Sequence, residues 1–194
     1  MARPLKSKKD RLPIMELEYT KIIQKTKNDH SMKSVTKKKL LRAYSLLYCF
    51  GARISEISSL TVTDMDSIFK NKYHILTDTK SNSTQRLVIN DKALEILKGL
   101  DYSDCKDALF YKPNTIEPMR TAGLEKLVNT HLKNQLNVLY TSHSFRAGYI
   151  TRILEATGNV KIAQKLARHK DIITTLRYAG ASDRQLDDAL DRIF

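Results

Sequence analysis

Hydrophobic positions recur at helical spacing over most of the chain, and they predict a mainly helical protein. Leu40, Leu41, Tyr44, Leu47 and Tyr48 form one such stripe. The predicted helices span residues 15–28, 34–50, 53–60, 92–100, 121–135, 143–156, 160–168, 171–178 and 184–193. Residues of the types that begin and end helices, such as Ser34 and Gly51, flank the second of them.

Two short runs break the helical pattern and predict strands. Residues 73–77 and 85–89 are rich in β-branched, aromatic and aliphatic side chains, and the polar stretch 78–83 between them predicts a hairpin loop. The expected fold class is therefore α+β, mainly α-helical with a small antiparallel β-sheet. Residues 1–13 are expected to form a basic leader, and residues 14–194 a single domain.

The charge is strongly positive and unevenly distributed. The 194 residues carry a formal net charge of +13, and residues 1–42 hold 13 Lys and Arg against 4 Asp and Glu. Residues 183–194, by contrast, hold four Asp and two Arg. A basic front of this kind favours a polyanionic partner such as a nucleic acid. A solvated, lysine-rich surface is the alternative explanation.

Several classes of protein do not fit the sequence. There is no run of 18 apolar residues to predict a membrane span, and no apolar segment follows the basic N-terminus to predict a secretory signal. Cys49 and Cys105 lack metal-ligand spacing and are expected to be reduced thiols in a cytoplasmic protein. The five histidines also lack paired ligand spacing, so no zinc site is predicted.

Two short motifs have the residue types that bind anions. Arg53 directly follows the break at Gly51, near a helix start where the macrodipole disfavours a cation, so an anionic partner is expected, either Glu56 or a bound phosphate. His143 and Arg146 lie three residues apart and share a helix face, where they repel each other when the histidine is protonated but suit the binding of an anion. Each motif taken alone has an ordinary structural explanation.

The motifs taken in order resemble the tyrosine recombinase (phage integrase) family. GARISEI with Arg53, HSFR at 143–146, LARH at 166–169 and TTLRY at 174–178 follow its order, and the resemblance covers about residues 14–185. The distance in sequence is 23 residues from Arg146 to His169 and nine from His169 to Tyr178. Lys80, in the polar hairpin, falls where the family carries its catalytic lysine.

The resemblance implies the tyrosine-recombinase catalytic fold and a transesterification of DNA. Tyr178 would attack a backbone phosphate and form a 3′-phosphotyrosyl bond with release of a 5′-hydroxyl. Phenols are weak nucleophiles at neutral pH because their ordinary pKa is about 10, so the reaction needs a positive field and a proton acceptor. Arg53 and Arg146 would hold the non-bridging oxygens and stabilise the transition state.

The remaining roles follow from the same resemblance. His143 would position the phosphate and take the tyrosine proton, His169 would donate a hydrogen bond to a phosphate oxygen, and Lys80 would protonate the leaving oxygen. Glu56 would orient its neighbours. No cofactor or metal is expected, because the covalent bond conserves the phosphodiester energy and the arginines supply the positive charge. The expected partner is double-stranded DNA, with no membrane and no small-molecule substrate.

Two features depart from the family pattern, and a third feature, at the C-terminal end, concerns assembly. Ala167-Arg168-His169 replaces the common Leu-Gly-His, a change expected to be mild, and the usual N-terminal core-binding domain is expected to be absent. The last predicted helix carries an apolar stripe of Leu186, Leu190, Ile193 and Phe194. The stripe could pack on its own core, but we expect it to dock on a neighbouring protomer in a tetramer on paired DNA sites.

Three alternatives remain open at this level. A non-catalytic DNA-binding regulator could share the fold, although binding alone needs no nucleophile. A type IB topoisomerase would use related chemistry, although the short chain and compact motif block favour a recombinase. An RNA-binding or ribosomal protein fits the charge but leaves the catalytic residues unexplained. The target sequence and the biological role, in a phage, plasmid, transposon or chromosome, are not encoded in these motifs.

Overall fold

The computed structural model describes residues 12–77, 84–112, 115 and 117–179. Nine helices and two strands fall within these ranges. They are, in chain order, α1 Glu16–Asn28, α2 Ser34–Phe50, α3 Ile54–Ser58, α4 Val62–Asn71, β1 Tyr73–Thr77, β2 Thr84–Val88, α5 Asp91–Lys98, α6 Thr121–Gln135, α7 Ser142–Thr157, α8 Val160–Ala167 and α9 Ile172–Leu176. The predicted mainly helical α+β architecture is confirmed. The basic leader, Lys80 and the predicted last helix lie outside the described residues, apart from residues 12 and 13 of that leader.

Helix α2 is the centre of the fold. It packs against α1, α3, α5, α6 and α7, and every residue from Arg42 to Phe50 is buried. Tyr44 stacks on Phe145 of α7 with ring centroids 5.5 Å apart. Because α2 is buried on most sides, the residues at its C-terminal end have positions fixed by the main core.

The two strands form an antiparallel hairpin. Tyr73 pairs with Val88 and Thr77 with Thr84, so the predicted hairpin is present, with its second strand beginning one residue earlier than the predicted run. Leu87, on one face of the hairpin, is fully buried, whereas Ile75 and Val88, on the other face, are exposed. The sheet therefore contributes one buried face to the core and extends beside α4.

Helix α4 lies between residue 60 and the first strand, where the sequence pattern predicts no helix. Thr61 caps it, since its Oγ1 accepts a hydrogen bond of 3.1 Å from the Asp64 amide. Met65 and Ile68 point into the core one turn apart. The threonine–aspartate capping pair and the apolar spacing are the signals that could have predicted this helix.

A second, smaller apolar cluster lies apart from the main core. Ile150 and Leu154 of α7 pack there against Ala163 and Ala167 of α8, and Tyr178 lies against the same cluster. This cluster holds the segment after α9 beside α7 and α8. None of the helices in the described ranges has the length and apolarity that a bilayer crossing requires.

Arg42 forms a buried ion pair that we expect to be a large contributor to stability. Its guanidinium is fully buried and donates to Asp104 Oδ1 at 2.6 Å and Oδ2 at 3.1 Å, and to the Asp101 carbonyl at 2.9 Å. Replacing Arg42 by methionine should lower the free energy of unfolding by about 3–5 kcal/mol, because it leaves the Asp104 carboxylate partly buried without its partner. Urea denaturation followed by circular dichroism measures this.

The double variant Arg42→Met, Asp104→Leu is the control, and it should recover a large part of the loss because no charge is left unpaired. Burial opposes ionisation of Asp104, but Arg42 and the Tyr111 hydroxyl outweigh it and hold the pKa of the carboxyl below its ordinary value. The pair therefore stabilises the wild type above the ordinary aspartate range and loses that contribution as the pH falls through the depressed pKa. A loss below about 1 kcal/mol in Arg42→Met would contradict this account.

Candidate active site

The predicted site residues meet around one open cavity of about 830 Å³. It lies where the start of α3, the first turns of α7, the end of α8, the end of α9 and the hairpin come together. The residues that line it are Arg53, Ser55, Glu56, Ser59, Leu76, Gln85, His143, Arg146, Arg168, His169, Lys170, Asp171, Thr174 and Tyr178. The structure thus brings together five of the six predicted catalytic residues and Glu56. The sixth, Lys80, is outside the described residues.

Arg53 is placed by the end of the central helix. Gly51 ends α2 in the left-handed region, with φ of 55°, and Arg53 is the N-cap of α3. Its Nη1 donates to Glu56 Oε1 at 2.8 Å, and its backbone amide donates to Glu56 Oε2 at 2.7 Å. The Arg53 side chain remains 44% exposed, so it also faces the cavity. Glu56 is therefore the partner of Arg53 in this structure, which was one of the two options predicted.

Glu56 is shared between two arginines. Its Oε2 also accepts a hydrogen bond of 2.9 Å from Nη2 of Arg168. Burial of Glu56 opposes its ionisation, but Arg168 and Arg53 outweigh that effect and hold the pKa of the carboxyl below its ordinary value. Glu56 is thus a carboxylate at neutral pH and orients both guanidinium groups.

Arg146 is buried at the back of the cavity. Its side chain donates from Nη1 to the Gly51 carbonyl at 2.8 Å and from Nη2 to the Ala167 carbonyl. Burial and the nearby charges of Arg53 and Arg168 lower the pKa of Arg146 to about 10, so the group remains a cation at neutral pH. A buried cation whose described hydrogen bonds go to carbonyl oxygens favours an anion in the adjoining space.

His143 lies one turn before Arg146 on the same face of α7, and its side chain is exposed at the cavity. Thr141 begins the helix as its N-cap. The predicted i, i+3 arrangement is therefore present, with the imidazole at the opening and the guanidinium beneath it.

His169 follows the end of α8 and is held by α9. Its Nδ1 is 2.9 Å from Oγ1 of Thr175, which is fully buried. Burial, together with Arg146, Arg53 and Arg168, lowers the pKa of His169 to about 4. The ring is therefore neutral at pH 7. If the threonine donates to Nδ1, the proton of the ring is on Nε2, where it can be donated to an anion in the cavity.

Tyr178 completes the cavity from the end of α9. Its amide donates to the Thr175 carbonyl at 3.0 Å, and its ring packs on the smaller apolar cluster. The hydrogen bond to His169 and the turn to Tyr178 both start from Thr175. One short helix therefore sets the positions of the second histidine and of the tyrosine.

Arg168 is the site residue that the sequence analysis undervalued. An arginine in place of the common glycine is expected to be a mild change, yet the Arg168 side chain is buried and forms an ion pair with Glu56. The signal available in the sequence was a long cationic residue at a position where a helix end favours glycine. Lys170 and Gln85 also line the cavity and were not singled out.

A model of the phage integrase family matches residues 14–185 of the chain. Among curated proteins, a probable integrase/recombinase of Acholeplasma phage L2 is 30% identical over 173 residues, which cover 87% of this chain and 55% of the relative. A tyrosine recombinase XerC of Alcanivorax borkumensis is 28% identical over 153 residues, covering 75% of this chain and 49% of the relative. The chain thus spans about half the length of these relatives.

Solved structures share the fold at low sequence identity. The crystal structure of XerA recombinase matches with a TM-score of 0.68 at 18% identity and covers 93% of this chain and 65% of that one. The Tn1549 transposon integrase in complex with transposon right end DNA matches with a TM-score of 0.67 at 20% identity and covers 96% of this chain and 67% of that one. The predicted tyrosine-recombinase catalytic fold is confirmed by these similarities.

Proposed function

The chain belongs to the phage integrase family, and from that premise we propose that it is a site-specific DNA recombinase that cleaves and rejoins strands through a 3′-phosphotyrosyl bond on Tyr178. The observation that carries the proposal is the cavity itself. Three arginines, two histidines and a tyrosine from separate parts of the sequence line it together. A DNA-binding surface without catalysis would not need a phenol beside a cluster of cations.

The cation cluster suits a phosphodiester. Arg146 at the back of the cavity and Arg53 at its side would bind the two non-bridging oxygens of the scissile phosphate. Planar guanidinium groups match that geometry and stay charged when the transition state gathers negative charge. Because both groups are held by protein atoms before DNA binds, little reorganisation is needed during the reaction.

The chemical step would be an in-line displacement. The Tyr178 oxygen attacks phosphorus, the bond to the 5′-oxygen breaks, and the phosphate becomes linked to the tyrosine. His143 takes the phenol proton, Lys80 gives a proton to the leaving 5′-oxygen, and neutral His169 donates a hydrogen bond to the phosphate. Attack of a 5′-hydroxyl on the phosphotyrosine reverses the sequence and rejoins a strand.

A covalent trapping experiment tests the proposal. The chain is incubated at low salt with duplexes from its own genetic neighbourhood that carry a 5′-bridging phosphorothiolate, which leaves without protonation and cannot religate efficiently. We expect a protein–DNA band that survives denaturant, with the adduct mapped by mass spectrometry to the peptide containing Tyr178. Binding without any such band would favour a non-catalytic regulator. Relaxation of plasmids without strand exchange between two sites would favour a topoisomerase.

Double-stranded DNA in the cytoplasm is the proposed partner, and assembly of several protomers on it is part of the same proposal. Two proteins that share this fold have been solved with DNA bound, the Tn1549 transposon integrase with transposon right end DNA and a lambda integrase dimer on a core site. The net charge of +13 supports binding to DNA, and affinity should fall steeply with added salt.

Deleting residues 183–194 should weaken cooperative assembly on paired sites about tenfold or more. The segment holds the apolar stripe of Leu186, Leu190, Ile193 and Phe194, whose burial on another protomer would contribute a few kcal/mol. Sedimentation of the protein with one-site and two-site duplexes measures the effect. Leu190→Ser should reproduce it and Asp188→Ser should not. Unchanged assembly after the deletion would show that the stripe does not dock in trans.

A further inference from the structure

Arg168 occupies a backbone position that disfavours it. It is the C-cap of α8 with φ of 57°, in the left-handed region where residues with a Cβ are rare and glycine is favoured. Its amide donates to the Gln164 and Lys165 carbonyls and so ends the helix. Glycine would make the same backbone bonds without strain, so the ending of the helix does not account for an arginine here.

The side chain of Arg168 is as unusual as its backbone. The residue is 8% exposed, and its Nη2 donates to Glu56 Oε2 at 2.9 Å while Nη1 donates to the Leu166 carbonyl at 3.0 Å. Its Nε is buried without a hydrogen-bond partner among the described residues. Burying this long cation in the cavity wall costs free energy, and among the described residues its ion-pair partner is Glu56.

The charge balance shows what this contact changes. Arg53 lies 2.8 Å from Glu56, so these two side chains alone would largely cancel each other's field. Arg168 on the other oxygen of the carboxylate supplies a second positive charge. With it, the group of three is a net cation facing the cavity, and Arg146 adds to the same field.

We propose that Arg168 is a positioning residue that neutralises Glu56, so that Arg53 keeps its positive field and its orientation for the scissile phosphate. This inference rests on the proposed strand cleavage, which supplies the phosphate. Arg168 acts through Glu56 and is not assigned contact with DNA. A purely structural clasp between α3 and α8 is the competing explanation, and it predicts a loss of folding stability without a specific loss of cleavage.

Three variants separate the two explanations. Arg168→Gly removes the charge and relieves the backbone strain, so the protein should keep or gain thermal stability while the rate of covalent complex formation falls about tenfold. That is less than the roughly 100-fold loss expected for a group that touches the transition state. Arg168→Lys keeps a donor for Glu56 and should restore the rate to within about threefold.

Lys72→Gly is the matched control. Lys72 also ends a helix with positive φ, 60°, but pairs with Asp91 at 2.6 Å away from the cavity, so relief of strain there should leave cleavage unchanged. Single-turnover trapping on a phosphorothiolate duplex, at DNA concentrations that saturate each variant, measures all four proteins. Full cleavage by Arg168→Gly, or failure of Arg168→Lys to recover more than Arg168→Gly, would overturn the proposal.

A double-variant cycle tests the route through Glu56. In a Glu56→Gln background there is no carboxylate charge to neutralise, so adding Arg168→Gly should change the cleavage rate less than about threefold. If the second change still costs tenfold, Arg168 acts independently of Glu56 and the proposed route is wrong.

The titration of His169 gives a readout that does not depend on DNA cleavage. The charges that act on this imidazole are those of Arg146, Arg53 and Arg168. The other titratable groups that line the same cavity are Glu56, His143, Lys170, Asp171 and Tyr178. Loss of the Arg168 charge should raise the pKa of His169, and Arg168→Lys should leave it near the wild-type value. Proton NMR of the imidazole measures this directly.

The two proposals can fail separately. If the wild type forms no covalent complex, the strand-cleavage proposal fails, and the histidine titration alone then decides whether Arg168 tunes the charge of the cavity. If the wild type cleaves and Arg168→Gly alters neither the rate nor the titration, only the inference about Arg168 is wrong.

Discussion

Replacing Tyr178 by phenylalanine is expected to reduce formation of the covalent protein–DNA complex by about 1,000-fold or more, because no other group is assigned the attack on phosphorus. The ring packs on the small cluster formed by Ile150, Leu154, Ala163 and Ala167, and phenylalanine keeps that packing. Stability and DNA affinity should therefore remain close to the wild type. Single-turnover trapping, thermal unfolding and a filter-binding titration give the three quantities.

Tyr73→Phe is the matched control for that experiment. Tyr73 lies on β1 with Arg86 stacked 4.3 Å from its ring centroid, a contact that a phenylalanine retains. It does not line the cavity, so trapping should be unaffected. A Tyr178→Phe protein that still forms a denaturant-stable adduct at the wild-type rate would refute the assignment of the nucleophile.

Replacing Arg146 by glutamine should lower the cleavage rate by about 100- to 1,000-fold with little change in stability. The variant loses hydrogen bonds to the Gly51 and Ala167 carbonyls, which destabilises the fold. It also removes a buried cation from the neighbourhood of Arg53 and Arg168, which stabilises it. The two effects oppose each other, so the free energy of unfolding should change by no more than about 1 kcal/mol.

Arg152→Gln is the control on the same helix. The Arg152 guanidinium lies 3.7 Å from the centroid of the Tyr48 ring and donates to the Tyr48 carbonyl at 3.0 Å, remote from the phosphate-binding side chains. It should lose some stability and keep its cleavage rate. If Arg146→Gln instead lowers the free energy of unfolding by more than about 3 kcal/mol, Arg146 is mainly a structural residue and the assigned role is wrong.

The sequence predicted most of the fold where one element has one clear pattern. The stripe on α2 predicted a buried helix, and the two runs around the polar loop predicted an antiparallel hairpin, although not its register. Helix α4 is hard to predict because it has only ten residues, its outer face is polar, and a strand-like run follows it directly. The capping bond between Thr61 and Asp64 decides its start, and that bond is local enough to have been recognised.

The candidate site was predictable as a set of residues but not as a network. The resemblance to the tyrosine recombinase family predicted Arg53, His143, Arg146, His169 and Tyr178 as one site, and they line one cavity. The contact between Arg168 and Glu56 joins residues 112 positions apart, and no periodicity in the sequence encodes such a pairing. The role of Lys80 stays a prediction, since it lies outside the described residues.

The two sides of the cavity are supported by hydrophobic clusters of unequal size, the main core and the small cluster between α7 and α8. The buried Arg146 is hydrogen-bonded to Gly51 at the end of α2, which belongs to the main core, so displacing Arg146 requires disrupting a large part of that core. Tyr178 rests on the small cluster between α7 and α8. A local opening that releases α9 exposes little apolar surface and costs a small part of the total stability. In the proposed reaction, a tyrosine attached to a strand end would shift with its DNA while the anion-binding half keeps its shape for the returning strand.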